Sequence, residues 1–116
     1  ATAACSSPAA EAETPQQALE RRAHQLDVLA ADRQDADAWE FYSQRCQAEI
    51  GDLDSYSAML DMFFAGRTPD YQSATAIVDG SYGQVVSVDA DPSAPPTSTQ
   101  PRTWTLIDGE WRFDNC

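Results

Sequence analysis

The stretch "RTWTLIDGEWRFDNC", residues 102–116, decides the fold of this chain. Apolar and polar residues alternate on both sides of Asp108–Gly109, and an Asp-Gly pair between two alternating runs is a strong signal for a tight β-hairpin. The stretch therefore predicts two antiparallel strands at the end of the chain. The last residue is Cys116, whose thiol would be an oxidation liability in a reducing compartment, so this ending favours a protein outside the cytoplasm.

Two more strands are predicted before this hairpin. The segments "SATAIVD", residues 73–79, and "QVVSVDA", residues 84–90, repeat apolar residues with a period of two and contain many β-branched residues. The turn sequence "DGSYG" joins them. The proline-rich stretch "DPSAPPTSTQP", residues 91–101, predicts an exposed loop between the two hairpins. We therefore expect four antiparallel strands after Pro69.

Helical periodicity dominates the chain before Pro69. A first helix is predicted over residues 15–33, with Thr14 as its cap and Pro15 at its first position. Its apolar face is formed by Leu19, Ala23, Leu26 and Ala30.

Two further helices are expected before the strands. The second starts near Asp35 or Asp37 and ends at Gly51, because Trp39, Tyr42, Cys46 and Ile50 recur at helical spacing. The third starts at Asp52 or Asp54 and ends at Gly66. Helices followed by antiparallel strands predict an α+β fold, with the helices packed on one face of the sheet.

The charge of the chain argues against nucleic acid as a partner. The sequence holds 19 acidic and 7 basic residues, for a formal net charge of −12 at pH 7. Phosphate backbones would be repelled, and we expect this charge to serve solubility rather than recognition of a basic partner. All basic residues are arginine, and with the many Ala and Asp residues this composition resembles that of actinobacterial proteins.

The first cysteine marks a candidate lipid anchor. In "ATAACSSPAAEAE" small residues precede Cys5 and a run rich in Ser, Pro and Ala follows it. This stretch resembles the lipobox and tether of bacterial lipoproteins, in which the cysteine is acylated; Thr2 stands where that family usually has Leu. The alternative is a stray cysteine in a disordered tail. We divide the chain into a flexible tether, residues 1–14, with Cys5 as the lipidation site, and one domain, residues 15–116.

The other two cysteines are candidates for a disulfide. Three cysteines leave one thiol over if two of them pair. If Cys5 is lipidated, Cys46 and Cys116 remain, and a bridge between them would close a loop of about 70 residues and stabilise the fold by roughly 4 kcal/mol. The alternative is a reactive or metal-binding thiol, but the only histidine is His24 and no second Cys or His lies at ligand spacing. We expect no metal and no cofactor.

Four sequence words, in this order and spacing, resemble the NTF2-like domain, also called SnoaL-like or cystatin-superfamily, of actinobacterial secreted proteins and lipoproteins. They are "FYSQRC", "YSAMLDMFFAGRT", "ATAIVDGSYGQVVSV" and "WTLIDGEWRFDNC". The resemblance covers residues 15–116. It implies helices packed on a curved antiparallel sheet of about four strands that forms a cone with an apolar mouth. It also implies a disulfide between a helix end and the chain end, which matches Cys46 and Cys116.

Relatives of this family use the cone in several ways, and fold alone does not decide among them. They bind steroids and other hydrophobic molecules, isomerise or dehydrate them, or dock partners. Enzymes similar to ketosteroid isomerase need a carboxylate base in the cone, opposite a Tyr and a protonated Asp. We find no such set, since the Asp residues fall mainly at helix starts and strand ends. We therefore expect no catalytic residues.

Seven aromatic residues are candidates for the walls of a ligand pocket, because aromatic rings offer broad apolar surfaces with a polar tip. They are Trp39, Tyr42, Tyr56, Phe63, Tyr71, Trp104 and Trp111. The alternative is that these rings are core residues that fill the cone. Arg45 and Arg112 are expected in surface ion pairs rather than at an anion site.

These patterns favour a non-catalytic binding or interaction module at the cell envelope, secreted or anchored in the cell membrane through a lipid. Two alternatives stay open: a carrier or sensor of a small hydrophobic ligand, and a SnoaL-like hydratase or isomerase. An aromatic cavity faced by a buried Asp or His would favour the enzyme, whereas a filled cone would exclude both alternatives. The expected partners are a hydrophobic small molecule or an envelope protein. A homodimer is also an expectation, because many relatives dimerise through the outer face of the sheet.

Overall fold

Residues 13–116 are described in a computed structural model of the chain, and in them four helices precede four strands. The helices are α1 (Pro15–Ala31), α2 (Asp35–Trp39), α3 (Gln44–Ile50) and α4 (Leu53–Phe63). The strands are β1 (Tyr71–Asp79), β2 (Tyr82–Asp89), β3 (Arg102–Ile107) and β4 (Glu110–Phe113). They form one antiparallel sheet in the order β1-β2-β3-β4. The predicted α+β class is confirmed.

Helix α1 begins at the predicted cap. The Thr14 hydroxyl accepts a hydrogen bond from the Gln17 backbone N–H at 3.1 Å, and the Gln17 side chain accepts one from the Thr14 N–H at 3.0 Å. This capping box satisfies two donors that the first turn would otherwise leave free. The buried residues of α1 are the predicted apolar face: Leu19, Ala23, Leu26 and Ala30. This face packs on β1 and β2.

Helix α1 lies very close to the sheet at Gly83 on β2. A Cβ atom at this position would overlap the Cδ2 atom of Leu19 and lie 3.6 Å from Cζ3 of Trp111. Both neighbouring side chains are buried. Glycine is therefore required here by the distance between helix and sheet rather than by a turn.

The predicted single helix ending at Gly51 is wrong, because α2 and α3 are separate and residues 40–43 between them are not helical. The Ser43 N–H donates to the Phe113 carbonyl at 2.9 Å, and the Phe113 N–H donates to the Phe41 carbonyl at 2.8 Å. Backbone groups that pair with β4 cannot also continue a helix. The Ser43 hydroxyl then caps α3 by accepting from the Cys46 N–H at 3.1 Å.

Two other boundaries differ from the expectation. Helix α4 is capped by Asp52 as predicted but ends at Phe63, before Gly66. The proline-rich segment is not wholly an exposed loop, since Pro96–Thr99 forms a short 3-10 helix and Asp91 is buried. Asp91 is held there by several donors, among them Ser93 and Arg67.

Cys46 and Cys116 are paired in a disulfide with their Cα atoms 5.5 Å apart, as the sequence predicts. The neighbouring Asp114 carboxylate accepts hydrogen bonds from the Ser43 hydroxyl at 2.6 Å and from Arg45 Nε at 3.1 Å. The covalent bond and this polar cluster therefore tie the end of the chain to α3.

The predicted tether lies almost entirely outside the described residues, and Cys5 with it. Of that segment only residues 13 and 14 are described: Glu13 forms an ion pair with Arg21 at 2.9 Å, and Thr14 caps α1. In residues 13–116 no helix is both long enough and apolar enough to cross a membrane.

The sheet face opposite the core carries exposed apolar side chains. Ala76 and Val85 pair across β1 and β2 and are buried on the helix side. On the other face Ile77, Tyr82 and Val88 are exposed. This is the outer face through which the homodimer was expected, and the dimer stays a prediction.

Candidate functional site

A cavity of about 360 Å³ lies between the helices and the sheet. Helices α1 and α4 form one side, β2 and β3 form the opposite side, and the residues after β4 close one end. This volume lies within the range of small-molecule sites in proteins. The described domain therefore contains a partly open space that its aromatic side chains do not fill.

Five of the seven aromatic candidates line this cavity: Tyr42, Tyr56, Phe63, Tyr71 and Trp104. They come from α4, β1, β3 and the segment between α2 and α3. The structure thus brings together side chains that are up to about 60 residues apart in the chain. Phe113 joins them, although the sequence analysis did not single it out.

The other two candidates, Trp39 and Trp111, do not line the cavity. The Trp39 ring packs behind the cavity wall, 5.2 Å from the Tyr56 ring. Trp111 is buried beneath α1 and its carbonyl accepts hydrogen bonds from the Arg22 guanidinium. A period-two pattern places Trp111 in the core but does not say which part of the core it contacts.

The aromatic wall is a continuous set of ring contacts. The Tyr42 ring lies 4.9 Å from the Tyr56 ring in an edge-on arrangement and 4.7 Å from the Phe113 ring. Phe113 in turn meets Trp104 edge-on at 5.6 Å. Such contacts hold large rings in fixed positions, so the wall is expected to keep its shape without a ligand.

Asp27 is the polar residue of the cavity that the sequence analysis missed. It lies in the C-terminal half of α1, and its Oδ2 atom accepts a hydrogen bond from the Ser87 hydroxyl on β2. Burial raises the pKa of Asp27 to about 6, against the opposing effects of Ser87 and of the positive charge of Arg102. Aspartate is unfavourable inside a helix. The position of Asp27 beside the apolar face of α1 was the feature of the sequence that could have indicated a polar group in the cavity.

Two tyrosine hydroxyls add polar character to this apolar wall. The Tyr56 hydroxyl is buried and makes no hydrogen bond within residues 13–116. Burial raises the pKa of Tyr56 well above its ordinary value, and the neighbouring Tyr42 adds to this. The pKa of Tyr71 is raised to about 12, chiefly by burial and then by the negative charge of Asp27. Both hydroxyls therefore stay protonated at neutral pH.

A buried ion cluster fixes the end of the cavity near α4. Arg67 lies 2.6 Å from the Asp89 carboxylate and 3.3 Å from the Asp91 carboxylate, and all three side chains are at most 6% exposed. The Arg67 guanidinium also lies over the Phe63 and Phe64 rings, at 4.9 and 5.4 Å from their centroids. This cluster holds the Phe63 ring, which lines the cavity, near the end of β2.

A second, more polar depression of about 750 Å³ lies near residues 40–47 and 107–114. Both of its arginines are paired with acids that also line it: Arg45 with Asp114 at 3.1 Å, and Arg112 with Glu110 at 2.6 Å. The surface ion pairs expected for the two arginines are thus confirmed. Since both cations of this depression already have partners, the aromatic cavity is the better candidate for a ligand site.

The described residues offer no site for a metal ion, because no three His, Cys, Asp or Glu residues among them are grouped as ligands. His24 is half-buried on α1, and its Nδ1 atom has no hydrogen-bond partner within residues 13–116.

Comparison of this chain with protein-family models, with curated proteins and with solved structures gave no match.

Proposed function

We propose that this domain binds a small, mostly apolar molecule in the cavity between the helices and the sheet. The observation that carries the proposal is the open space of about 360 Å³ walled by aromatic rings. If the rings existed only to fill a core, they would close this space, because empty apolar cavities destabilise a fold. The proposed role is that of a carrier or sensor, and no chemical step is required for it.

The setting of this function is proposed from the sequence. The resemblance to NTF2-like domains, the lipobox-like stretch around Cys5 and the Cys46–Cys116 disulfide support a domain of that family outside the cytoplasm. A lipid on Cys5 would hold the domain at the cell membrane. A carrier at that place would exchange apolar molecules with the membrane or with an envelope protein.

The proposal is tested by titrating the purified protein with N-phenyl-1-naphthylamine, a neutral dye whose fluorescence rises in apolar surroundings. We expect saturable binding of one dye molecule per chain. The variant Ala30→Phe places a ring in the cavity, and Met59→Trp places one at its edge, so each is expected to weaken dye binding by about ten-fold or more.

The matched control is Met62→Trp. Met62 lies on the same helix as Met59 but is 82% exposed and does not line the cavity. Dye affinity should be unchanged in this variant. If the unaltered protein does not bind the dye, or if the control weakens binding as much as Met59→Trp, the cavity is not the binding site.

A second candidate function, acid–base catalysis of the isomerase or hydratase kind, is favoured by one observation. The carboxyl of Asp27 faces an aromatic cavity and has its pKa raised to about 6, close to the range in which a general base works at neutral pH. A bound ketone would then exchange its α-hydrogens with deuterated water faster than the free ketone. Asp27→Asn should abolish this acceleration; equal exchange rates with and without the protein would exclude this function.

A further inference from the structure

Within the described part of the chain, a carboxylate oxygen of the cavity has no hydrogen-bond donor. Asp27 is held by the Ser87 hydroxyl through Oδ2, while its Oδ1 atom makes no hydrogen bond within residues 13–116. A carboxylate in apolar surroundings is costly when its oxygens lack donors. A molecule entering the cavity is therefore favoured if it brings a hydrogen-bond donor to this position.

The charges around Asp27 do not provide that donor. The positive charge of Arg102 on β3 acts on Asp27, but the Nη2 atom of Arg102 donates to the Thr97 carbonyl at 3.2 Å. Asp89 on β2 acts on Asp27 as a like charge and is itself paired with Arg67.

Two tyrosines near Asp27 lie on different parts of the chain, and the hydroxyl of each is protonated at neutral pH. Tyr71 lies on β1 and Tyr42 lies just before α3, and the Asp27 charge acts on both. Neither forms a hydrogen bond to Asp27 in the structure. The acceptor on Asp27 therefore remains available to a ligand.

Resting on the ligand-binding function proposed above, we propose that the cavity selects apolar molecules that carry a hydroxyl or amine group, with Asp27 as the acceptor for that group. A purely apolar molecule would fill the cavity but leave the carboxylate without its donor. An anionic head group, such as that of a fatty acid, would place a second negative charge beside Asp27.

The test compares four ligands on one aromatic ring system by calorimetric titration of the full chain at pH 7.5. They are naphthalene, 2-naphthol, 2-methoxynaphthalene and 2-naphthoate. A hydrogen bond to a charged acceptor is strong enough to improve affinity by about ten-fold or more. We therefore expect 2-naphthol to bind about ten-fold more tightly than naphthalene or 2-methoxynaphthalene, and 2-naphthoate to bind most weakly.

The variant Asp27→Ala should remove the advantage of 2-naphthol and leave naphthalene binding in place. Asp79→Ala is the matched control, because Asp79 is an exposed acid at the end of β1 and does not line the cavity. This control should keep the advantage of 2-naphthol. If Asp27→Ala does not fold, the order of affinities in the unaltered protein still shows whether the cavity prefers a ligand with a hydroxyl group.

Equal affinities for naphthalene, 2-naphthol and 2-methoxynaphthalene would overturn the role of Asp27 while leaving the binding function intact. Tightest binding of 2-naphthoate would show that Arg102 selects anions, which also overturns it. No binding of any of the four compounds would overturn the proposed function and this inference together.

Discussion

A carboxyl group inside an apolar cavity costs the fold free energy whenever it is ionised, and Asp27 is in that position. Its pKa is raised to about 6, above the value near 4 of an unfolded chain, so the folded state holds its proton more tightly. Protonated Asp27 therefore adds to the free energy of unfolding. This added stability is complete below about pH 4 and is lost as the pH rises through 6.

This residue gives the first prediction. Asp27→Asn cannot ionise, so its stability relative to the unaltered protein should rise by about 1–3 kcal/mol between pH 4 and pH 7. Urea unfolding of both proteins at several pH values measures this difference. Asp79→Asn, at an exposed position, should show no such trend. A difference between Asp27→Asn and the unaltered protein that does not change with pH would contradict the raised pKa.

At the level of elements, the ion cluster of Arg67 joins the end of α4 to the end of β2. Arg67 donates to both Asp89 and Asp91, and its guanidinium packs on aromatic rings at the end of α4. Two acidic side chains at this depth need a cation, because the low local dielectric makes an unpaired charge expensive. The cluster therefore holds one wall of the cavity in place.

The second prediction follows from that cluster. Arg67→Met keeps the apolar stem but removes the charge, and leaving the Asp89 carboxylate unpaired should destabilise the fold by about 3 kcal/mol or more. Urea unfolding at neutral pH measures the loss. The control is Arg21→Met, which removes an exposed ion pair and should have little effect. Equal losses in the two variants would show that the buried pairs do not stabilise the fold.

At the scale of the whole molecule, the disulfide between Cys46 and Cys116 joins the last described residue to helix α3. Cys46 and Cys116 are separated by 70 positions, so the bond restricts most of the unfolded chain as well as holding the last residues in place. Its loss acts on the stability of the entire domain. The residues after β4, which close one end of the cavity, would be the first to fray.

The third prediction is that replacing Cys46 and Cys116 by alanine lowers the free energy of unfolding by roughly 4 kcal/mol. The matched control is Cys5→Ala, which leaves the bonded pair intact and should not change the stability of the domain. Thermal and urea unfolding of both variants provide the comparison. A double variant as stable as the control would show that the bond does not stabilise the native state.

Patterns within a few residues predicted most of the local structure. The apolar face of α1 was predicted residue by residue, because 3.6-residue periodicity directly identifies the side of a helix that packs. The hairpin at Asp108 and Gly109 was predicted from its turn residues, and the observed turn places both in left-handed conformations, with φ of 52° and 80°. These features depend on neighbours along the chain.

The site was predicted less completely. Aromatic residues could be identified as wall candidates, and five of the seven line the cavity. Trp39 and Trp111 do not, since the direction of a ring depends on which elements pack around it. Asp27 was missed because its position beside the apolar face of α1 is only a weak signal, and its hydrogen-bond partner Ser87 lies 60 residues away on β2.

The sequence by itself determined the α+β order, the caps of α1 and α4, the hairpins and the candidate cysteine pair, because these follow from local periodicity, turn chemistry and residue counts. Only the tertiary structure decided that the predicted second helix breaks at residues 40–43, where Phe41 and Ser43 pair with β4. It also decided that the space between helices and sheet stays open and contains a carboxylate. Both outcomes depend on contacts between distant segments, whose energies outweigh local preference and leave no periodic signal in the chain.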